Sequence, residues 1–163
     1  MGSDIGGRAF PGARLAGHLL ALVTDHDFDA LSAQLRPLVQ PPAAGPVRGA
    51  LYGGVLTWLV TALTDVVTAR LGQPEPGESF VLELQTTRGR TLGAEDLPPR
   101  EGRVGRAALA LLSGDPGTAR VHLGAAEREP DPAIRVSTLV EALVWLDALL
   151  AADTPAFPDC PPR

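Results

Sequence analysis

The strongest constraint on the fold of this chain is residues 47–71, an apolar run whose threonines and single aspartate recur at helical spacing. A helix would align these polar side chains along one side and leave the remaining sides apolar. A helix that is apolar almost all round belongs in the middle of a bundle or in a membrane. Burial of an unpaired carboxylate is costly, so we expect an arginine or a helix N-terminus to pair with Asp65. The polar residues of this stripe are Thr57, Thr61, Thr64, Asp65 and Thr68.

The same run approaches the length of a membrane span, but its composition favours a buried helix. A single span needs about 20 apolar residues, whereas Arg48 lies near one end of this run and the polar stripe continues to Asp65. Residues 15–23 are too short for an export signal and contain His18. The single cysteine, Cys160, cannot form an internal disulfide, which fits a reducing compartment. We therefore predict a cytoplasmic protein with no membrane partner.

Cap and turn residues divide the chain into several predicted helices. Asp27 and Asp131 each precede an amphipathic segment and are good N-cap residues. Pro46 suits the first turn of the central helix, and Gly72 suits its C-terminal end. The predicted helices cover residues 13–23, 28–39, 46–71, 102–113, 118–129 and 132–152.

These elements predict a mainly α, single-domain bundle of five or six helices. One strand signal, Phe80–Leu84, is followed by a potential turn at Arg88 and Gly89, which adds a short β-hairpin to the prediction. A lone hairpin is marginally stable, so this one should pack against the helices. The predicted organisation is a flexible arm over 1–12, a helical domain over 13–152 and a proline-rich tail over 153–163.

Composition excludes several classes of function. All 14 basic residues are arginine, and the sequence contains no lysine and no asparagine, as expected of a GC-rich bacterial genome. Schiff-base chemistry and phosphate loops that need a lysine are therefore excluded. The net charge of −5 argues against a nucleic-acid partner, because phosphate binding requires a basic surface.

Two segments have the features of paired helices with small residues at their contact. In residues 100–132, Ala107 and Ala119 lie on either side of a Gly114-Asp115 turn, and a proline follows the second helix. Residues 13–42 have a similar arrangement around Asp27, although they lack the glycine and the alanines. Both segments resemble tetratricopeptide-like helical hairpins. The resemblance covers about 60 residues, does not keep the 34-residue period of that family, and implies a helical surface that binds a protein or peptide.

The potential metal ligands are few and scattered. Residues 25–29 alternate carboxylates in the manner of a calcium loop, but the glycine and glutamate that an EF-hand requires are missing. A site built from His18, His26, Asp27 and Asp65 would have suitable ligand chemistry. Because a helix break separates the two histidines, the sequence does not place them together. We therefore expect no metal and no cofactor.

The sequence contains no recognisable catalytic motif. None of its serines has a Gly-x-Ser-x-Gly setting, and no glycine-rich phosphate loop follows a strand. Buried threonines can donate hydrogen bonds to carbonyls of their own helix, so the threonine stripe does not require a ligand. A polar pocket at Asp65, flanked by Thr61 and Thr57, is the alternative interpretation and supplies the candidate ligand-binding residues.

The predicted final helix has two apolar faces and therefore needs two neighbours. One neighbour would be the rest of the bundle. The other would be either a second copy of the chain or another intramolecular helix, and the two alternatives stand about equal. The candidate interface residues on this second face are Thr138, Glu141, Trp145 and Ala148.

The function predicted from these features is a non-enzymatic helical module that binds a protein or peptide, and a second copy of the chain is one candidate partner. The alternative is a small helical ligand-binding protein, or a metal-dependent hydrolase that uses His18, His26, Asp27 and Asp65. The two alternatives differ in their requirements: the module needs an exposed apolar face, whereas the hydrolase needs its four polar residues to converge in one cavity.

Overall fold

Six α-helices make up most of the described chain. The computed structural model describes residues 12–40, 46–74, 79–85 and 88–152. Two short strands, β1 (Glu83–Gln85) and β2 (Thr91–Gly93), pair antiparallel, with Leu84 opposite Leu92. The predicted helical bundle with a short hairpin is confirmed. The helices are α1 (Ala13–Thr24), α2 (Phe28–Leu38), α3 (Pro46–Leu71), α4 (Arg103–Leu112), α5 (Pro116–Glu127) and α6 (Pro132–Ala151).

The helices begin where aspartates cap them. The Asp27 carboxylate accepts the backbone N–H three residues on at 3.1 Å, and Asp131 accepts the N–H two residues on at 2.9 Å, so both predicted caps are confirmed. Asp115 caps α5 by accepting the Thr118 N–H at 2.9 Å. Helix α5 begins at Pro116, directly after this cap and two residues before the predicted start. Proline suits the first turn of a helix, so the earlier start is favourable.

The central position predicted for α3 is confirmed, because α3 contacts all five other helices. Trp58 is only half-buried at the edge of the core. Tyr52 is completely buried, which makes it the main aromatic residue of the interior. The α3 side chains that are buried are Tyr52, Val55, Leu56, Leu59, Val60, Leu63 and Thr64.

The other helices surround α3 and contribute one apolar stripe each to a continuous core. Each stripe repeats at intervals of three or four residues, as expected of helices that bury one face. The main contributions are Ala16, Leu19 and Val23 from α1, Leu31, Leu35 and Leu38 from α2, Val104, Ala107 and Ala108 from α4, and Leu139, Ala142, Leu143 and Leu146 from α6.

One helix, α3, is long and apolar enough to cross a membrane by length and composition. Its stretch Ala50–Leu71 has a mean hydropathy of 1.5, and 39% of the most apolar window is buried inside the bundle. The core helix of a globular domain satisfies the same criteria. Helix α3 contacts each of the other five helices of the described chain.

The hairpin is displaced from the position that the strand signal predicts. Strand β1 begins at Glu83, whereas residues 80–82 are not paired in a strand. Leu82 packs instead against Gly105 of α4, and Phe80 and Val81 line a cavity beside it. Leu82 therefore packs on the helices, Val81 is largely exposed, and only the following residues form the ladder.

The two segments that resemble tetratricopeptide hairpins are both helix pairs. Helix α1 contacts α2, and α4 contacts α5. Kinship with that family stays a prediction. The predicted tail over 153–163, including Cys160, and the arm up to residue 11 lie outside the described residues.

Candidate functional site

The main candidate site is an apolar cavity between α3, α4 and α6. Its volume is about 400 Å³, and all 13 of the described residues that line it are apolar or glycine. Each helix contributes side chains at intervals of three or four residues, so one face of each helix forms a wall. The walls consist of Leu63, Val67 and Leu71 from α3, Gly105, Ala108, Leu109 and Leu112 from α4, and Trp145, Ala148 and Leu149 from α6.

The segment 80–82 forms the fourth wall of this apolar cavity, and Gly105 allows it to approach. A methyl group at Gly105 would lie 2.7 Å from Leu82 Cδ2 and 3.4 Å from Trp145 Cη2. The first distance is shorter than a van der Waals contact, so the missing side chain makes room for Leu82. The indole of Trp145 lies close to the same glycine. Gly105 thus allows the segment 80–82 to pack close to α4 and to Trp145 at this side of the cavity.

A polar cleft adjoins the apolar cavity on the next face of α3. Thr64, Asp65 and Thr68 line it, together with Gln73 just after the helix, and its volume is about 400 Å³. Phe80 and Leu112 line both the cavity and the cleft, so the two spaces are immediate neighbours.

The expectation that Asp65 is buried and paired is wrong. Its side chain is exposed, and in the described part of the chain it takes part in no ion pair. Its position on the solvent side of α3 keeps it hydrated, so no arginine is needed to offset a desolvation cost.

The predicted ligand-binding residues are only partly brought together. Asp65 lines the polar cleft, but Thr57 and Thr61 do not. Thr61 donates to the Thr57 carbonyl at 2.8 Å, and Thr64 donates to the Thr61 carbonyl at 2.8 Å. These bonds within α3 match the expectation that buried threonines are satisfied by their own helix. Thr64 and Thr68, rather than Thr57 and Thr61, accompany Asp65 in the cleft.

The structure does not assemble the metal site considered above. His18 and His26 are both exposed, and His26 Nδ1 lies 2.9 Å from the Thr24 carbonyl oxygen. The Asp27 carboxylate is occupied by the cap of α2. Across residues 12–40, 46–74, 79–85 and 88–152, no three histidine, cysteine, aspartate or glutamate side chains are placed to hold a metal ion.

The four candidate interface residues lie on the face of α6 that meets α4 and the loop before it. Trp145 and Ala148 line the apolar cavity, and Trp145 is half-buried. Glu141 and Thr138 line a separate cleft beside Leu97. Thr138 is only 4% exposed, and its hydroxyl donates to the Ile134 carbonyl. This face therefore has an intramolecular neighbour, the second of the two alternatives.

Glu141 has an unusual electrostatic environment. Burial of the carboxyl group, together with the charge of Glu101, raises the pKa of Glu141 to about 7. Both glutamates line the cleft that also contains Arg100. Near neutral pH, Glu141 is therefore present in both protonation states.

A buried polar cluster at the N-terminal end of α6 was not expected from the sequence. Arg135 is completely buried, and its Nε donates to the Val39 carbonyl at the end of α2 at 3.0 Å. One terminal nitrogen donates to the Glu127 carbonyl at the end of α5 at 2.6 Å. The guanidinium lies over the Tyr52 ring, 3.7 Å from its centroid. One cation thus joins the C-terminal ends of two helices, which carry partial negative charge, to α3.

A buried carboxylate completes this polar cluster. The Glu129 side chain is 2% exposed and accepts a hydrogen bond from Arg103 at 2.9 Å. Burial alone would raise the pKa of Glu129, but the hydrogen bonds from Arg103 and the Asp131 N–H outweigh it and hold the pKa below its usual value. We define Tyr52, Arg103, Glu129 and Arg135 as the polar junction of the bundle.

One sequence signal could have revealed this polar junction. Arg135 stands at the start of the buried stripe of α6, at the spacing that continues to Thr138, Leu139, Ala142 and Leu146. An arginine that occupies a position in an apolar stripe is a candidate for a buried cation. Its partners are main-chain carbonyls, which carry no sequence signal, so the contacts themselves could not be predicted.

No protein-family model matches the chain, and no curated protein and no solved structure is significantly similar to it. Its function is therefore inferred from the geometry of the apolar cavity, the polar cleft and the polar junction.

Proposed function

We propose that this protein is a non-enzymatic helical binding protein whose ligand is a small hydrophobic molecule held in the apolar cavity. The observation that carries the proposal is the cavity itself, a space of about 400 Å³ with an entirely apolar lining. Cavities of about 300–1,000 Å³ with mainly apolar walls are typical of small-molecule sites. The half-buried indole of Trp145 offers a flat aromatic surface to such a ligand.

Binding of a neutral fluorescent hydrophobe, N-phenyl-1-naphthylamine, tests this proposal. We expect a saturable increase in its emission with the parent protein. Ala108→Phe would place a ring in the cavity, because Ala108 lines it and is 5% exposed. This variant should bind at least about tenfold more weakly, which corresponds to about 1.4 kcal/mol.

Two further variants make the binding test decisive. Ala148→Trp fills the cavity from an exposed position on α6 and serves if Ala108→Phe does not fold. Ala21→Phe adds a ring at an exposed position of α1, away from the cavity, and should bind the probe as the parent does. Equal binding by the parent and both cavity-filling variants would refute the cavity as the site.

A second candidate function, binding of a protein or peptide, is favoured by a separate apolar surface. Phe28 of α2 is 60% exposed and Val144 of α6 is 47% exposed. Both line a shallow cleft that Val136 and Val140 continue. Exposed apolar patches often mark surfaces for protein partners. This patch is a better candidate than the predicted face at Trp145, which already contacts α4.

Sedimentation equilibrium at high micromolar concentration tests the simplest partner, a second copy of the chain. We expect Phe28→Glu and Val144→Glu to shift any dimer toward monomer, because a buried charge opposes association. Ala33→Glu, a change at an exposed position on the same helix as Phe28 but outside the shallow cleft, should leave association unchanged. A parent protein that is fully monomeric would refute the homodimer.

A further inference from the structure

The apolar cavity and the polar cleft are neighbouring parts of one site. Leu63 and Val67 of α3 face the cavity, and the next residues along the helix, Thr64 and Thr68, face the cleft. Phe80 forms part of the wall that the two spaces share. A ligand with an apolar body and a polar end could therefore occupy both.

The charge of this site has one sign. Among the described residues, Asp65 is the single charged one that lines the polar cleft, and none that lines the apolar cavity is charged. Among the described residues, no basic side chain forms an ion pair with Asp65. The carboxylate is thus available to a ligand, and it is not neutralised by the protein.

We propose that the ligand is a hydrophobic amine, with its apolar body in the cavity and its ammonium group at Asp65. The inference rests on the function proposed above and specifies the class of ligand. A primary ammonium has three donors, and the Asp65 carboxylate and the Thr68 hydroxyl offer acceptors on adjacent turns of α3. A fatty acid would place a second carboxylate beside Asp65, and a neutral alcohol would leave the charge unmatched.

Three probes with the same eight-carbon chain separate these possibilities: octylammonium, octanol and octanoate. Trp145 lines the cavity and can report binding through its fluorescence. The measurement uses a Trp58→Phe background, so that Trp145 is the one remaining tryptophan. We expect octylammonium to bind most tightly, octanol less tightly and octanoate least tightly. Added salt should reduce the preference for octylammonium over octanol, because the Asp65 carboxylate is exposed.

The variant Asp65→Asn tests the role of the carboxylate. It should weaken octylammonium binding about threefold to fivefold, the size expected for an exposed ion pair, and leave octanol binding unchanged. Asp29→Asn removes an exposed aspartate of α2 and serves as the matched control, with no effect on either probe.

The possible outcomes distinguish this inference from the proposed function. Equal binding of all three probes, or a preference for octanoate, would show that the ligand is not an amine. The apolar cavity would then still stand as a site for hydrophobic molecules. A preference for octylammonium that persists in Asp65→Asn would show that Asp65 does not bind the ammonium group. Failure of every probe to bind the folded parent would overturn both proposals.

Discussion

The two ends of α6 are buried in different ways. At the N-terminal end, Arg135 is completely enclosed, and its charge is held by carbonyls of α2 and α5 and by the Tyr52 ring. Toward the C-terminal end, Trp145 is half-buried beside a cavity of about 400 Å³. Hydrogen bonds are directional, so the polar junction fixes the positions of its helices. Apolar contacts are not directional, and a space among them can remain available to a ligand.

This comparison suggests a division of roles along one helix. The polar junction would hold α2, α3, α5 and α6 in register, and the apolar cavity would accept the ligand without disturbing that register. If so, changes at the junction should affect stability most, whereas changes at the cavity should affect binding most.

Arg135→Ala should cause the largest loss of stability. The change leaves buried carbonyls without a donor and creates a void beside Tyr52, and removal of one partner from a buried charged network costs about 3–5 kcal/mol. Urea unfolding monitored by circular dichroism measures the loss. Arg120→Ala, at an exposed position of α5, is the matched control and should change stability by no more than about 0.5 kcal/mol. Melting of Arg135→Ala within a degree of the parent would show that the junction does not hold the fold.

Glu129→Gln should destabilise the protein at pH 7 by about 1.5–3 kcal/mol, the range for hydrogen bonds to charged groups. The folded protein holds the pKa of Glu129 below the ordinary value of 4.5. The carboxylate therefore contributes stability above pH 4.5, and this contribution is lost as the pH falls through the folded-state pKa. Unfolding free energies of parent and variant should converge in acid. A constant difference from pH 7 to pH 3 would contradict the role given to the charge.

Trp145→Ala should cost only about 1–2 kcal/mol, although it removes a large ring. Truncation of a fully buried tryptophan costs about 3–5 kcal/mol, but Trp145 is half-buried and already borders a space. Leu139→Ala removes fewer atoms from a position that is completely buried, and it should cost more than Trp145→Ala. Chemical denaturation of both variants decides the order. The reverse order would show that the cavity region is packed as tightly as the junction.

Glu141→Gln should raise stability by about 1 kcal/mol at pH 8, with little gain near pH 5. The folded-state pKa of Glu141 is about 7 because burial and Glu101 oppose its ionisation. The folded state then binds the proton more tightly than the unfolded state, so this group lowers stability as the pH rises from about 4.5 to 7. Thermal melting at both pH values measures the effect. Glu127→Gln, on α5, is the control variant. A gain in stability for Glu141→Gln that does not change with pH would contradict the raised pKa of Glu141.

The helices and their ends were predictable because their causes are local. Periodic apolar residues define each helix, and Asp27 and Asp131 cap theirs as expected. Errors appeared where the environment of a side chain depends on a distant segment. Asp65 was expected inside the bundle and is exposed. An almost uniformly apolar helix has a weak preference for one face, so its orientation depends on its neighbours.

The candidate site was predicted less well than the fold. Asp65, Trp145 and Ala148 were among the candidate residues and do line the cleft and the cavity. The contribution of α4 and of the segment 80–82 was missed. A cavity is a defect of packing between several elements, and no single segment of sequence carries a signal for it.

Short-range periodicity and capping are encoded in neighbouring residues, so the helical class, the helix boundaries to within about two residues and the central place of α3 could be predicted from the sequence. The tertiary structure alone decided that Arg135 lies in the core, that Asp65 faces solvent and that a cavity opens beside Trp145. The physical reason is that burial of a side chain depends on the packing of whole helices against one another. Residues far apart in the chain set that packing.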